Sequence, residues 1–530
     1  MSADTPPAPS LTSEEDYRLD LPRLLIVFSV MLAVMLEIID TSIVNVAVPV
    51  MMGNLGATLD EIDWVITSYI VANVIIIPLT GWMAGRFGRK RYFTTSILIF
   101  TAASAMCGAS NTVEALIFWR IVQGLGGGAL VATSQAILVE TFPPSKQGVG
   151  QALFGVGAMV GPSLGPTLGG FLTDNYSWHW CFLINVPLGI LAATLCGAYL
   201  HDPPHLAATH RRRVDWPGIA LLVIGVGAFQ TLLERGNKDD WFDSPLIVAL
   251  AVLSAAGIIG LVVRELTTED PVIDFRVLRH KQLALGCVLA SLLGVGLFGL
   301  VFLFPVYTQS LLGWTAWQSG LAVLPSSMAT ALMMLMMGWL VWHVGPRPIF
   351  VTGMLLMPVT LWSMSQWTLA SGWDDVMVPQ LLRGITMGLL FIPLSTVALR
   401  SLPSAEVAKG AGMYNLFRQL GGSFGIAALA GILDRQTEVH RSALARHVGP
   451  FDPPTVQALD SLSQRLADGG LDLVQAEFVA RALLDRMLEA QASMEAFYDA
   501  YFFIGVLFLS ALPLAFMVSR HAPGKYAPIE

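Results

Sequence analysis

The sequence predicts an all-α protein that crosses a lipid bilayer fourteen times, arranged as two six-helix halves with two further helices inserted between them. Three observations carry that expectation. Of the 530 residues, 54% are apolar and 13% charged, about half the charged share of a soluble domain, and the mean hydropathy is +0.64. Uncharged apolar runs of about twenty residues, enough at 1.5 Å per residue to cover the ~30 Å of a bilayer's hydrocarbon, recur along the chain. Motifs from the first part of the chain also return in the second. This composition excludes a soluble enzyme, and a net charge of −8 lacks the basic face that a nucleic-acid partner needs.

Taken in order, residues 1–21 are polar and Pro-rich and read as a cytoplasmic tail. The apolar run from Leu24 to Val50 has no small-residue cleavage site, so it reads as an uncleaved anchor. Spans are expected near 24–50, 62–83, 92–110, 114–138, 148–172 and 180–200, which make the first half, 22–200. A linker, 201–281, carries two extra spans near 216–233 and 244–264. The second half, 282–518, holds spans near 282–307, 319–342, 349–369, 376–399, 411–433 and 498–518, with a long outer loop at 434–497, and residues 519–530 form a second tail.

Nineteen lysines and arginines fall in the segments on one side, against Arg235 and Lys238 in the short loops of the other, which predicts both termini in the cytoplasm. Trp64, Trp178, Trp180, Trp241, Trp314, Trp317, Trp367 and Trp373 fall at outer ends of spans, as an interfacial belt would. The cysteines, Cys107, Cys181, Cys196 and Cys287, lie in apolar stretches without metal-ligand spacing and read as core residues.

The repeat is specific. Gly81 to Phe93 aligns with Gly338 to Phe350 at an offset of 257, and Arg120-Ile121-Val122-Gln123-Gly124 with Gly128 aligns with Gln380-Leu381-Leu382-Arg383-Gly384 with Gly388 at an offset of 260. Arginine and glutamine exchange places in the second pair. Such a parallel repeat is the arrangement of a rocking secondary transporter.

These motifs carry a family resemblance. Leu36-Glu37-Ile38-Ile39-Asp40-Thr41-Ser42-Ile43-Val44-Asn45-Val46-Ala47-Val48-Pro49 resembles the first-helix signature of the fourteen-span drug:proton antiporters of the EmrB/QacA type, within the major facilitator superfamily. Arg120 to Gly124 is similar to that family's fourth-helix motif, and the glycine-proline run of the fifth span to its antiporter motif. The long outer loop is closer to the EmrB type. The resemblance implies proton-driven efflux of lipophilic or amphipathic drugs across a bacterial inner membrane, with no cofactor beyond the proton gradient. It also implies a periplasmic adaptor of EmrA type and an outer-membrane channel of TolC type. No G-x-x-x-x-G-K-[ST] occurs, so an intrinsic P-loop ATPase is not expected. A nutrient importer or facilitator on the same scaffold, or a non-transporting receptor, stays open as an alternative.

Only Glu37, Asp40, Arg120, Arg383 and Arg418 are ionisable groups deep inside predicted spans, where a charge is functional by default. On a helical wheel Glu37, Asp40, Thr41 and Asn45 occupy an arc of about 140°, which must face protein or water. A carboxyl there can neutralise by taking a proton, which a proton carrier needs. Arg120 lies roughly 9 Å from the outer end of its span and Asp40 roughly 15 Å from the outer end of its own, a difference that an arginine side chain covers. The pair reads either as a switching partnership for proton coupling or as a static assembly bond.

Glu37, Thr41, Asn45, Gln123, Gln380 and Arg383 are the candidate substrate contacts. Arg383 has no acidic neighbour in its own half and reads equally as a site for an anionic or polar substrate group or as a donor to carbonyls. Arg418 reads as a snorkelling or gate residue.

In the fifth span Gly157, Gly161, Gly165 and Gly169 recur every four residues, with Pro162 and Pro166 beside them. Close backbone approach and a bend are expected there. The loop from Gly81 through Arg86, Gly88 and Arg89 resembles the superfamily's cytoplasmic latch motif, with Gly85 standing where an acid is expected, or is simply a solvated basic loop. Met328, Met333, Met334, Met336 and Met337 suggest either a pliable pocket wall or lipid-facing filler. Within 434–497, Leu473, Val474, Phe478, Val479, Ala482, Leu483 and Met487 at near-helical spacing predict an outer helical hairpin that docks an adaptor or caps its own bundle.

Overall fold

A computed structural model describes residues 20–142, 147–202, 214–268, 271–403, 406–449 and 452–519. Most of both predicted tails and the basic residues Lys146 and Arg211 to Arg213 lie outside the described residues. The first half comprises α1 (Leu21–Leu55), α2 (Leu59–Ile76), α3 (Thr80–Phe87), α4 (Arg89–Cys107), α5 (Val113–Thr141), α6 (Gln147–Asn175), α7 (Trp180–Leu183) and α8 (Asn185–Tyr199). Two helices follow, α9 (Trp216–Arg235) and α10 (Pro245–Thr267). The second half comprises α11 (Lys281–Val306), α12 (Ala316–Val344), α13 (Pro346–Met364), α14 (Trp373–Arg400), α15 (Val407–Ala445), α16 (Pro453–Asp468), α17 (Leu473–Ser510) and α18 (Leu512–Ala515). A 3₁₀ turn at Ile77–Leu79 joins α2 to α3 into one span. Twelve helical segments have the length and hydropathy of a bilayer span, and α4 and α6 complete the fourteen.

The repeat is visible contact by contact. Thr58 opens α2 with a capping box to Glu61, and Thr315, 257 residues later, opens α12 with a capping box to Gln318. Gly124 of α5 lies against the Tyr69 carbonyl of α2, and Gly384 of α14 lies against the Ser326 carbonyl of α12, so a Cβ at either glycine would strike backbone. The two halves meet at the terminal end of the molecule, where Asp20 and Ser519 lie. Gly81 of α3 packs on the Lys409 backbone of α15, and its repeat mate Gly338 of α12 packs on Val149 of α6. Phe154 stacks on Phe391 with ring centroids 6.2 Å apart.

The inserted pair packs on itself through Gly225 and Gly257, whose backbones touch. Asp215 caps α9 by accepting from Gly218 N at 3.2 Å and pairs with Arg264 of α10 at 2.7 Å. The Arg264 guanidinium holds the Asp215 carboxyl below the ordinary carboxylate range. α9 lies across a seam between the halves. Toward α2, Arg235 pairs with Asp60 at 3.7 Å, Lys238 pairs with Asp63, and Gly227 faces Ile75 and Val71. Toward α15, Gln230 Nε2 donates to Ser423 Oγ at 2.7 Å and Asn237 Nδ2 to the Ala427 carbonyl at 2.7 Å.

One expectation is corrected at the opposite end, where α16 lies. Trp178 and Trp367 are 1% and 2% exposed, so they are core rings and not part of an interfacial belt. Trp367 stacks on Tyr307 at 5.2 Å, and its indole nitrogen donates to the Asp375 carbonyl. The 434–497 stretch does form an outer helical hairpin, α16 turning at Gly469-Gly470 into α17, and it is continuous with the spans. α15 and α17 run on beyond the bilayer-length segment as continuous helices, and α16 packs beside α17. His440 of α15 bonds Glu495 and Asp499 of α17 at 3.1 and 2.8 Å, and Arg441 bonds Asp485 at 2.9 Å. Of the apolar residues at helical spacing, Leu473, Val474, Phe478 and Met487 are 60–76% exposed, while Ala476 and Ala480 are buried. Small side chains let the helices approach closely, and the bulky ones are left outside.

Candidate functional site: a buried carboxylate and the cavity between the halves

The middle of α1 places Asp40 where α2, α4, α5 and α8 converge. Its carboxylate is fully buried and accepts three hydrogen bonds, one of which is also an ion pair, from α5 and α8. Oδ2 accepts from Arg120 Nη1 at 2.6 Å, while Oδ1 accepts from Gln123 Nε2 and Asn185 Nδ2, both at 2.8 Å. Arg120 and Gln123 stand one turn apart on α5 and are themselves joined, Nη1 to Oε1, at 2.9 Å. Arg120 Nε donates to the Val65 carbonyl at 3.0 Å, and the guanidinium lies 4.0 Å from the Tyr69 ring centroid. Asn185 also donates to Ser104 Oγ at 3.1 Å.

The structure thus brings Asp40, Arg120 and Gln123 together. Asn185, Ser104, Tyr69 and Val65, which the sequence reading did not single out, complete the arrangement. Removing one member of a buried ion pair costs about 3–5 kcal/mol, because the other charge is left in a dry site.

Glu37 lies one turn away on α1, 7% exposed, with its Oε1 accepting from Asn73 Nδ2 at 2.9 Å. Thr41 spends its hydroxyl on the Glu37 carbonyl at 2.7 Å. Asn45 is exposed to a cavity of about 680 Å³ between the halves, lined by Ser42 and Pro49 of α1, Pro166 and Asp174 of α6, Gln309, and Arg383 of α14. It reaches the end opposite the termini, and neither Asp40 nor Arg120 is among its lining residues. Arg383 Nη1 donates to Gln380 Oε1 at 3.2 Å, and among the described residues no carboxylate pairs with it. Gln380 keeps an unpartnered buried Nε2. None of the five methionines of α12 lines this cavity: Met334 and Met337 are buried, whereas Met328 and Met336 are exposed on the outside.

The glycine face of α6 packs on α1. A Cβ at Gly161 would meet Ile38, one at Gly169 would meet the Ile43 carbonyl at 2.7 Å, and one at Gly165 would collide with Ser42. Gly157 departs from the pattern, since its nearest neighbour there stands at an ordinary 3.6 Å. α6 runs unbroken past Pro166, and the side chain of Pro162 lies outside the described residues.

At the terminal end, Arg89 is 4% exposed and bonds both oxygens of Glu140 at 2.7 Å, so this part of the loop is not solvated. Arg86 lies 5.9 Å from the Phe87 ring, and Gly88, with φ of +85°, makes a turn whose space Asp202 fills. Arg418 does not snorkel; it is 5% exposed in the protein interior, with Nη2 donating to Asn415 Oδ1 at 3.0 Å.

The match to known proteins follows this architecture. Residues 30–426 match the model of the Major Facilitator Superfamily. The multidrug export protein EmrB of Escherichia coli strain K12 is 36% identical over 424 residues, covering 80% of this chain and 82% of that one. The fatty acid resistance protein FarB of Neisseria gonorrhoeae is 32% identical over 445 residues, covering 84% and 87%. Among solved structures, the human organic anion transporter MFSD10 superposes with a TM-score of 0.59 at 14% identity, covering 92% of this chain and all of that one. Twelve apolar helices of bilayer length among the described residues, in a repeated six-helix plan, with these matches along their length, make the chain a multi-pass membrane protein that belongs to the major facilitator superfamily.

Proposed function

We propose that the protein is a proton-driven exporter of lipophilic or amphipathic drugs and toxic compounds, working in a bacterial inner membrane as the inner component of a tripartite system. The observation that carries the reading is a buried Asp40–Arg120 pair set beside a 680 Å³ cavity between two repeat halves. Drug export is supported by relatives named for multidrug export and fatty acid resistance. The concentration of Arg86, Arg89, Lys90, Arg91, Arg347, Arg400 and Lys409 at the terminal end supports a cytoplasmic location for that end. The cavity then opens to the periplasm, where an adaptor of EmrA type and a channel of TolC type would carry substrate onward. Asp40 and Glu37 carry protons, Arg120 holds Asp40 in the resting state, and Asn45, Gln380 and Arg383 meet the substrate.

The test is transport in proteoliposomes under an imposed pH gradient, against a panel of lipophilic compounds. Asp40→Asn removes the titrating group and keeps its shape, so gradient-driven export should stop while the protein stays folded. Full export by Asp40→Asn refutes the assignment, and uptake in the opposite direction favours an importer on the same scaffold.

A further inference from the structure

The second half repeats the side chains that hold Asp40 without repeating Asp40. In the first half Arg120 and Gln123, one turn apart on α5, are joined Nη1 to Oε1 at 2.9 Å and share one carboxylate. The arginine donates to one of its oxygens and Gln123 Nε2 to the other. Their repeat mates on α14 are Gln380 and Arg383, with the two residue types exchanged. This pair is also joined Nη1 to Oε1, at 3.2 Å. Gln380 is 0% exposed, and its Nε2 is buried with no hydrogen-bond partner. Such a donor is rare in a protein interior and costly, because the water it gave up on folding is not replaced. α11, the first helix of the second half as α1 is of the first, carries no aspartate or glutamate along its length.

Unlike Arg120, Arg383 lines the cavity of about 680 Å³ between the halves. Val46 of α1, Val301, Phe302 and Val306 of α11, and Val323 of α12 give that cavity apolar walls. Among the described residues that line it, Arg383 is the one cation, and Asp174 of α6, an exposed residue, is the one acid. Toward the terminal end the halves are joined by Asn415 Nδ2 donating to Gln135 Oε1 at 2.6 Å, so the cavity admits a ligand from the opposite end. A space of this size with apolar walls and a few convergent polar groups suits a small amphipathic molecule, whose polar group is oriented by the donors it meets.

We propose that Arg383 and Gln380 form a carboxylate subsite, in which the carboxylate of an amphipathic substrate takes, against α14, the place that the Asp40 carboxylate takes against α5. The inference deepens the reading of this cavity as the substrate site and rests on it. One substrate oxygen accepts from the Arg383 guanidinium and the other from Gln380 Nε2, while the apolar body lies against the walls given by α1 and α11. The bond between Arg383 and Gln380 fixes the guanidinium before the substrate arrives, which lowers the ordering cost of binding. The pair selects a planar monoanion. A neutral amide of the same shape turns an NH2 group toward one of two donors, and a second negative charge finds no second cation and meets Asp174 instead.

The experiment measures equilibrium binding of radiolabelled naphthoate and naphthamide, probes of nearly one shape that differ in charge, to the intact protein in lipid nanodiscs at neutral pH. The wild type should bind naphthoate more tightly by about tenfold or more. Arg383→Gln should weaken naphthoate binding by about 10- to 100-fold, the worth of a charge-assisted hydrogen bond, and erase the preference. Gln380→Glu sets a carboxylate beside Arg383 within the chain itself, as Asp40 is set beside Arg120, and should erase the preference too. Equal affinity of the wild type for both probes overturns the inference. So does an equal loss of both probes in Arg383→Gln, which marks a structural role. If Arg383→Gln does not fold, a preference for naphthoate that persists in Gln380→Glu overturns it instead. Transport separates the two levels: a wild type that exports no lipophilic compound sinks the exporter reading itself, whereas export beside equal binding of naphthoate and naphthamide sinks only this inference.

Discussion

Asp40 draws its donors from α5 and from the start of α8, and this one carboxylate shows what a sequence reveals of a membrane site and what it conceals. A charge in an apolar run stands out, which is why Asp40, Arg120, Glu37 and Arg383 were legible. Asn185, Ser104, Gln135 and Asn415 were not, because neutral polar residues are tolerated in spans and only tertiary neighbours give them work. The same holds for the glycines of α6, whose spacing was plain but whose individual tightness was not. Their geometry gives graded outcomes. Gly157→Ala should export within about twofold of wild type, while Gly165→Ala forces Ser42 to move, and overpacking of about 1–3 kcal/mol should cut export severely. Gly161→Leu, which drives a large side chain into Ile38, should abolish it. The measurement is initial flux in proteoliposomes normalised to folded protein, and equal flux in Gly157→Ala and Gly165→Ala would mean that the α1–α6 approach does not limit transport.

Helix lengths exceeded what hydropathy showed. α15 and α17 run 39 and 38 residues, far more than the ~20 that cross a bilayer, because nothing at the water boundary breaks them. No proline or glycine pair interrupts either helix between its apolar and polar portions, and the change of solvent alone was read as a loop boundary. The three His440 and Arg441 bonds clamp those extensions to each other, so the separable part of the insertion is narrower than the sequence suggested: residues 446–472, with α16. Replacing 446–472 by a short flexible linker should leave proteoliposome flux near wild type and lower drug resistance in whole cells carrying an adaptor. Flux lost in proteoliposomes would place this segment in the outer gate and remove it as an adaptor contact.

At the scale of the whole molecule the repeat was the strongest signal in the sequence, since two offsets within three residues of each other fix which helices are equivalent. Where the inserted helices sit was not legible, because the repeat says nothing about elements outside it. They place α9 across the α2–α15 seam, with the broader contact to α2. α9 is therefore expected to travel with the first half. A disulfide between Lys238→Cys and Asp63→Cys should leave most of the export activity, whereas one between Gln230→Cys and Ser423→Cys should arrest it until reduced; equal arrest by both would show that α9 moves independently of either half. That placement also makes the two flanks of the molecule unlike. Among the described residues no inserted helix lies against the α6–α12 seam, while the α2–α15 flank is walled by α9 and, behind it, α10. Among the described residues, a compound dissolved in the membrane thus meets α9 on one flank and the bare α6–α12 joint on the other, so the chain, symmetrical in its repeat, is asymmetric toward the lipid.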